Sequence, residues 1–292
     1  MHRIQGRHPI YQSSQSEMLV TTLDDSARMV GCLNPRRNTM LNTHLKLAAA
    51  ALLASAALVG SAHAQTIEWE SSNTAKVKIG ESTVDGGPHS PEEVGINVPN
   101  LDTDDYVDFL GLKNVIGTDG NGVTTFTATT TDVDDHSTYG RFDFAQVGSE
   151  DVWYGEWSQT GSASAGDHTV YYGGTGATSA GNMPSSGTVN YSVKGISDYA
   201  TNSILSGTFT ADFDYSELTG YIQASNGYKV DIGTADIIGS TIDGNGAVAS
   251  NSGGTLASGG DVRGQFFGSS AQALAGIVTF SNNQYDTAFG GN

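Results

Sequence analysis

Residues 188–195, TVNYSVKG, alternate between apolar and polar side chains, so that three apolar side chains share one face of an extended chain. The same period of two recurs in GTFTADF at residues 207–213 and in YKVDIG at residues 228–233. This period is typical of a β-strand with one buried face and one face in water. Repeated through residues 183–292, it predicts a closed antiparallel barrel, because closure leaves no unpaired strand edge.

The composition of the whole chain supports an all-β fold. The 292 residues include 38 Gly and only 6 Pro, and short apolar runs alternate with turn-forming residues. Residues 65–182 are predicted to form a small N-terminal domain of short strands, here called the handle, with one short helix around residues 104–112. The Gly/Ser-rich segment 173–187 is predicted to link the handle to the barrel. Three tryptophans are expected in the handle core, and they are Trp69, Trp153 and Trp157.

The N-terminal 64 residues are predicted to lie outside the folded protein. Residues 40–64 contain Lys46, an apolar run over residues 47–60 and an Ala-His-Ala cleavage motif before Gln65, the pattern of a secretory signal peptide. The apolar run is too short to span a membrane. Residues 1–39 are interpreted as an upstream extension produced by a start codon assigned too early.

Charge and cysteine content restrict the partners of the processed chain. Removing residues 1–64 takes away 6 of the 13 Lys and Arg residues and 3 of the 31 Asp and Glu residues, which leaves 7 cations, 28 anions and a net charge of −21. Such a chain repels nucleic acid and anionic lipid. The single cysteine, Cys32, is removed as well, so no lipid anchor or disulfide is expected. The sequence predicts an exported protein without a membrane anchor.

Several C-terminal motifs resemble a known family. They are MPSSGTVNYSVKG, SGTFTADF, LTGYI, VRGQFFGSSAQALAGIVTF and TAFGG, between residues 183 and 291. They are similar to the C-terminal barrel of transferrin-binding-protein-B-like surface proteins of Gram-negative bacteria. They resemble more closely the hemophilins, small secreted hemophores that cross the outer membrane through Slam-type translocators. The resemblance implies a handle packed on an antiparallel barrel of about eight strands.

The same resemblance implies a function for the chain. Hemophilin-like proteins capture haem outside the cell and deliver it to an outer-membrane receptor, and they bind haem in the handle. The implied partners are haem, that receptor, the translocator and a host haem protein as the source. The expected location is extracellular, reached through the periplasm, or associated with the cell surface.

Haem iron needs an axial donor, and the processed chain offers few. Imidazole, thiolate, thioether and phenolate groups serve this purpose. His89, in the loop DGGPHSPEE, and His136, in TDVDDHSTYG, are the two candidate ligands. The acidic neighbours of His136 either favour its protonated ring, which cannot bind metal, or accept its second ring N–H and fix the tautomer. His168 is interpreted as a solvated residue without a role in the site.

Further residues complete the predicted site. Tyr139 begins a strand with Phe142 and Phe144 that could wall one porphyrin face, and Tyr106, Tyr139 and Tyr154 are alternative phenolate ligands. Arg141, or else Lys113, is a candidate partner for a haem propionate. Motifs for a serine or metal-dependent hydrolase are absent from the sequence, which favours a binding protein over an enzyme. The alternative hypothesis is a secreted or surface-associated module that binds a host protein through handle loops, without haem.

Overall fold

β-Strands dominate the part of the chain that the structure describes, which comprises residues 66–99, 105–128 and 139–292 of a computed structural model. These residues all belong to one unit, His63–Asn292. The predicted signal peptide, the upstream extension and His136 lie outside the described residues.

The handle contains two sheets and one helix. Its elements are β1 Glu68–Ser71, β2 Lys78–Glu81, β3 Val94–Asn97, β4 Val107–Asp108, α1 Phe109–Ile116, β5 Val123–Ala128, β6 Gly140–Gln146, β7 Val152–Ser158 and β8 Thr169–Gly174. The larger sheet has the strand order β1-β8-β7-β6-β5, and β2, β3 and β4 form a smaller antiparallel sheet. The smaller sheet and the helix thus come from the stretch of chain between β1 and β5.

Helix α1 begins later than the sequence predicted. Its N-cap is Asp108, whose carboxylate accepts a 2.6 Å hydrogen bond from the Gly111 N–H. Its end is marked by Gly117, which has a φ of 83° and donates its N–H to the Lys113 carbonyl. The prediction around residues 104–112 placed the helix too early because several aspartates compete for the cap position in this segment, and only one of them can take it.

The barrel consists of eight antiparallel strands. They are β9 Thr188–Ile196, β10 Leu205–Asp212, β11 Glu217–Gln223, β12 Lys229–Ile238, β13 Thr241–Asn251, β14 Gly254–Phe267, β15 Ala273–Thr279 and β16 Thr287–Gly291. Each strand pairs with the next, and β16 pairs with β9 to close the cylinder. A one-turn helix, α2 at Tyr199–Asn202, joins β9 to β10. The predicted all-β fold with a closed C-terminal barrel is confirmed.

The alternating pattern places apolar side chains inside the barrel, as predicted. Phe209, Ala211, Val230 and Ile232 have no solvent exposure. Val189, at the start of β9, departs from the pattern with 39% exposure. Strand alternation therefore predicts the barrel interior well, except where a strand reaches the open end of the cylinder.

The larger handle sheet buries both of its faces. One face supports the handle core, where the Phe109 ring stacks on Trp153 and Tyr171 at centroid distances of 5.4 and 5.8 Å. Trp153 and Trp157 are buried in this core as predicted, whereas Trp69 on the edge strand β1 is 36% exposed, so its assignment to the core is wrong. An edge strand has a sheet neighbour on one side only, which leaves its side chains more open.

The other face of this sheet packs against the outer surface of the barrel. The apolar contact includes Tyr154 and Tyr172 from the handle and Phe267 and Ile277 from the barrel. Because these side chains form one buried cluster, the handle and the barrel share an apolar interface.

The segment predicted to be a linker is held against the barrel. The Thr178 N–H donates to the Phe266 carbonyl and the Gly268 N–H donates to the Gly176 carbonyl, both at 2.8 Å. Met183 packs against the barrel core. Residues 173–187 are therefore an ordered connection, because their backbone groups extend the hydrogen bonding of β14.

Gly290 on β16 provides a test of this interface. A Cβ atom at this position would lie 2.5 Å from the Tyr154 ring and 2.6 Å from Val147. We expect Gly290→Ala to lower the free energy of unfolding by about 1–3 kcal/mol, the usual cost of overpacking. Gly246→Ala is the control, since a Cβ there would meet nothing within 4 Å. Urea denaturation of both variants measures the difference, and equal stabilities would contradict this description of the interface.

Candidate haem-binding cleft

An apolar cleft of about 250 Å³ opens in the handle between α1, the smaller sheet and the adjoining ends of β5 and β6. Its apolar wall includes Ile96, Leu112, Val115, Phe126 and Phe142. Its polar lining consists of His89, Asn97, Asp105 and Tyr139, of which the imidazole and the phenol are the groups that can serve as donors to haem iron. Flat apolar ligands bind in such concave sites, where a few polar groups fix their orientation. The cleft therefore has the composition of a site for a largely apolar ligand held by a few polar groups.

A tight turn brings His89 to the cleft. Gly86 and His89 exchange backbone hydrogen bonds of 3.3 and 3.1 Å, which closes a hairpin with Gly87 and Pro88 at its tip. Gly87 has a φ of 61°, a left-handed conformation that glycine adopts without strain. The His89 side chain is 19% exposed. The Gly/Pro loop predicted from the sequence thus holds this imidazole at the rim of the cleft.

Asp108 fixes the orientation of the His89 ring. The Nδ1 atom of His89 lies 2.8 Å from Oδ1 of Asp108, a residue that is 1% exposed. Because a carboxylate accepts hydrogen bonds and does not donate them, Nδ1 carries a proton, and in the neutral ring Nε2 holds the free lone pair. No residue that the structure describes hydrogen-bonds to this Nε2 atom. His89 is therefore suited to donate Nε2 to a metal centre.

Tyr139 is a residue of the cleft, whereas His136 lies outside the residues that the structure describes. Tyr139 lines the cleft, and its carbonyl accepts a 2.7 Å hydrogen bond from the Trp157 indole N–H. His136 lies outside the described residues, within segment 129–138. The last described residue before this segment is Ala128, at the end of β5, and the first described residue after it is Tyr139, which lines the cleft.

The other tyrosines considered as phenolate ligands do not line the cleft. Tyr154 is buried between the handle sheet and the barrel, and burial raises the pKa of its hydroxyl, which disfavours the phenolate. The ring of Tyr106 lies beside Gly80, where a Cβ atom would approach it to 2.9 Å. Among the tyrosines named from the sequence, Tyr139 is thus the one that the structure brings to the cleft.

Two family descriptions match the chain. "HphA N-terminal heme-binding domain" matches residues 61–169, and "HphA C-terminal domain" matches residues 181–292. The chain belongs to the HphA family of hemophilins. The first match contains the cleft with His89 and Tyr139, and haem is the ligand of this half of the chain.

Solved structures are similar to this HphA-family chain to different degrees, and one of them shares its fold. The apo crystal structure of the haemoglobin receptor HpuA from Kingella denitrificans is 16% identical, with a TM-score of 0.53 over 80% of this chain and 88% of that chain. A mutant transferrin-binding protein B from Haemophilus parasuis is 18% identical, with a TM-score of 0.37 over 52% of this chain. The match covers 34% of that protein, so this chain spans about a third of its length. No helix among the described residues is long and apolar enough to cross a membrane.

The residues of the HphA-family cleft fit a haem ligand. Haem needs an apolar slot for its ring and an imidazole or similar donor for its iron, and the cleft offers both. When bound, haem supplies an iron centre with axial positions that accept nitrogen ligands. A larger pocket of about 360 Å³ near α2 is less suited to haem because it is not an apolar slot. Amide and hydroxyl side chains such as Asn226, Tyr228 and Gln284 contribute much of its lining.

The two cations considered for haem propionates have other partners. The guanidinium of Arg141 makes hydrogen bonds of 2.7 and 3.0 Å to Asp143, on the sheet face opposite Phe142, and the bond to Asp143 raises the pKa of Arg141. Lys113 donates a 2.6 Å hydrogen bond to Gln146 and lies 5.8 Å from the centre of the Trp153 ring. No Lys or Arg of the described residues lines the cleft. A propionate contact by Arg141 would require its guanidinium to leave Asp143.

His168 is a buried structural residue, and its interpretation as a solvated loop histidine is wrong. It is 2% exposed, with Nε2 at 2.8 Å from a Glu156 carboxylate oxygen and Nδ1 at 2.6 Å from the Asn283 carbonyl. Burial is the largest single influence and lowers the pKa of His168, but the hydrogen bond and charge of Glu156, the Asn283 carbonyl and the charge of Asp286 together outweigh it and raise this pKa to about 9. Since both nitrogens donate, neither can bind iron. The sequence could not reveal this role because Asn283 lies far along the chain.

Proposed function

We propose that this chain is a secreted hemophore that captures haem outside the cell and delivers it to an outer-membrane receptor. The observation that carries the proposal is the apolar cleft with His89 at its rim, inside the segment that matches a haem-binding domain. A carrier must bind haem firmly and still release it, so a site at the edge of a small domain suits this role better than a deeply buried one.

His89 and His136 are proposed as the two axial ligands of the haem iron, with Tyr139 against the porphyrin. The Asp108 contact leaves the Nε2 atom of His89 with a lone pair, which supports the first assignment. The second rests on the sequence, where His136 precedes the cleft residue Tyr139 by three positions. Two imidazoles would bind the iron while the apolar wall excludes water from the ring.

The charge of the chain bears on how haem would be oriented. The described part of the cleft carries no cation, and the processed chain has 7 cations against 28 anions. Anionic propionates would therefore be repelled from the protein and be most stable in water. We propose that the propionates face the solvent, without a salt bridge to Arg141 or Lys113.

Export and delivery belong to the same proposal. The predicted signal peptide at residues 40–64 would take the chain to the periplasm, and the barrel resembles the part of hemophilins associated with Slam-type translocators. HpuA, which shares the fold, is described as a haemoglobin receptor. A host haem protein is accordingly the proposed source, and the location would be extracellular or at the cell surface.

Haem transfer tests this function with the processed chain from residue 65 onward. We expect saturable one-to-one binding of ferric haem with a Soret band distinct from that of free haemin. We also expect haem to move from methaemoglobin to the protein, and from the loaded protein to outer membranes of the source organism. A loaded protein that gives up no haem to those membranes would contradict a delivery role, even where binding is intact.

The alternative was a module that binds a host protein through handle loops without haem. The match to a haem-binding domain counts against the absence of haem. Protein binding itself retains some support, because Val115 and Ile116 at the rim of the cleft are 68% and 40% exposed. Capture of haemoglobin equally by the haem-free and haem-loaded chain would favour a protein-binding role in addition to haem uptake.

A further inference from the structure

The Asp108 carboxylate is shared between two parts of the cleft. Its Oδ2 atom accepts the Gly111 N–H at 2.6 Å and so caps helix α1. Its Oδ1 atom accepts Nδ1–H of His89 at 2.8 Å and the Ser90 N–H at 3.3 Å. Capping a helix requires one side-chain oxygen, so the contact of the second oxygen with the histidine hairpin calls for another explanation.

The hairpin and the helix are also packed directly on each other. A Cβ atom at Gly111 would lie 2.5 Å from the Pro88 carbonyl oxygen and 2.7 Å from Oδ2 of Asp108. Position 111 thus has to be glycine for the hairpin to rest on the first turn of α1. Since Leu112 and Val115 of the same helix line the cleft, the imidazole and part of the apolar wall are held by one carboxylate.

We propose that Asp108 is a positioning residue for haem, acting through His89, and this inference rests on the proposed ligation by His89. By holding the proton on Nδ1, the carboxylate keeps the Nε2 lone pair available to iron. A carboxylate partner also makes the imidazole a stronger electron donor, as in other metal sites where a ligating histidine donates its second N–H to an acid. A stronger donor favours ferric over ferrous haem, so Asp108 biases the site toward the oxidised cofactor.

Asp108→Asn tests this inference while preserving the helix cap, because asparagine caps helices as well as aspartate does. We expect the affinity for ferric haem to fall by about 10–100-fold, the usual cost of losing an outer-sphere partner of a metal ligand. We expect a smaller loss for ferrous haem, so that the ratio of ferric to ferrous affinity falls and the midpoint potential of the bound haem rises. Asp85→Asn is the matched control, since it removes one exposed carboxylate near the hairpin.

Asp108→Ser distinguishes an effect on the position of the His89 ring from an effect on the stability of the fold. Serine caps a helix but is too short to bridge the two contacts, so we expect nearly normal thermal stability of the haem-free chain with a loss of ferric haem affinity like that of Asp108→Asn. Equal losses of ferric and ferrous affinity in Asp108→Asn, or no loss of either, would overturn the positioning role.

The outcome for His89→Ala distinguishes this inference from the proposed function. Weak binding by His89→Ala together with unchanged ferric and ferrous affinities in Asp108→Asn would overturn the role of Asp108 alone. Unchanged binding by His89→Ala would overturn the ligand assignment, and the inference about Asp108 with it. Weak haem binding by both variants, with a changed ratio of ferric to ferrous affinity in Asp108→Asn, would support both the ligation by His89 and the positioning role of Asp108.

Discussion

His89→Ala is expected to reduce the affinity for ferric haem by roughly 100-fold or more, a larger loss than the 10–100-fold that an outer-sphere partner costs. The reason is that the substitution removes one of the two proposed iron ligands and leaves His136 and the apolar contacts of the cleft. His136→Ala is expected to have an effect of the same size, and the double variant should bind haem through the apolar wall alone. Haem titration followed at the Soret band measures all three variants.

Tyr139→Phe is the control for ligation by a phenolate. It keeps the aromatic ring at the cleft and removes the hydroxyl, so we expect the Soret maximum of the loaded protein to stay unchanged. A shifted Soret band in Tyr139→Phe, combined with normal binding by His89→Ala, would replace imidazole with phenolate as the ligand. Unfolding of each haem-free variant is measured alongside, since His89→Ala also takes the Nδ1–H donor from Asp108, which is 1% exposed, and a loss of affinity has to be separated from a loss of stability.

Glu156→Ala is expected to lower the free energy of unfolding by about 3–5 kcal/mol, the cost of removing one partner from a buried ion pair. The Glu156 carboxylate accepts hydrogen bonds from His168 and from the Asp198 and Tyr199 N–H groups, at 2.6–2.8 Å. Its removal would leave a buried imidazolium and two backbone donors without their acceptor. Urea denaturation measures the loss.

Two further variants control this experiment. Glu68→Ala removes an exposed carboxylate from the same sheet and should change stability by less than about 0.5 kcal/mol. In the double variant Glu156→Gln with His168→Gln the buried charges are both absent, so it should be more stable than Glu156→Ala. A loss below about 1 kcal/mol in Glu156→Ala would contradict the assignment of Glu156 and His168 as a buried ion pair that stabilises the fold.

The same pair gives the protein a dependence of stability on pH. The pKa of His168 is about 9 in the folded protein and 6.5 in the absence of its contacts, so the folded state binds the proton more tightly. Its contribution to stability is therefore fully present below pH 6.5 and is lost as the pH rises through 9. We expect the parent chain to lose stability over this interval and His168→Gln to lose much less, as measured by urea denaturation across that range.

Asp286 is a second buried group whose proton binding affects stability, at a pH below the interval of His168. Burial raises the pKa of Asp286 to about 6. Because this shift favours the protonated carboxyl in the folded state, its contribution to stability is lost as the pH rises from 3.8 through 6. The effects of Asp286 and His168 on stability can thus be separated by pH.

The sequence predicted the barrel because strand alternation is a local property. The period of two is visible within each short segment, and closure follows from the need to pair every edge. The hairpin that carries His89 was also predictable, since Gly and Pro specify a turn without reference to distant residues. These features depend on neighbours in the chain, which is why they could be found without coordinates.

The supporting contacts of the cleft could not be predicted in the same way. Asp108 lies 19 residues after His89, and nothing local marks their pairing. The sequence did contain a signal that Arg141 is paired within its own strand. Asp143 is two positions away, so it lies on the same strand face, and it is the partner of Arg141. The burial of His168 depends on Asn283, 115 residues away, and could be found only from the fold.

The position of the iron tests the central claim most directly. Crystals of the haem-loaded chain, measured at the iron absorption edge, should show one anomalous peak within bonding distance of the His89 Nε2 atom, beside the apolar wall formed by Ile96, Leu112 and Phe126. A peak at the polar pocket near Tyr228, or anywhere beyond the reach of His89, would contradict the account.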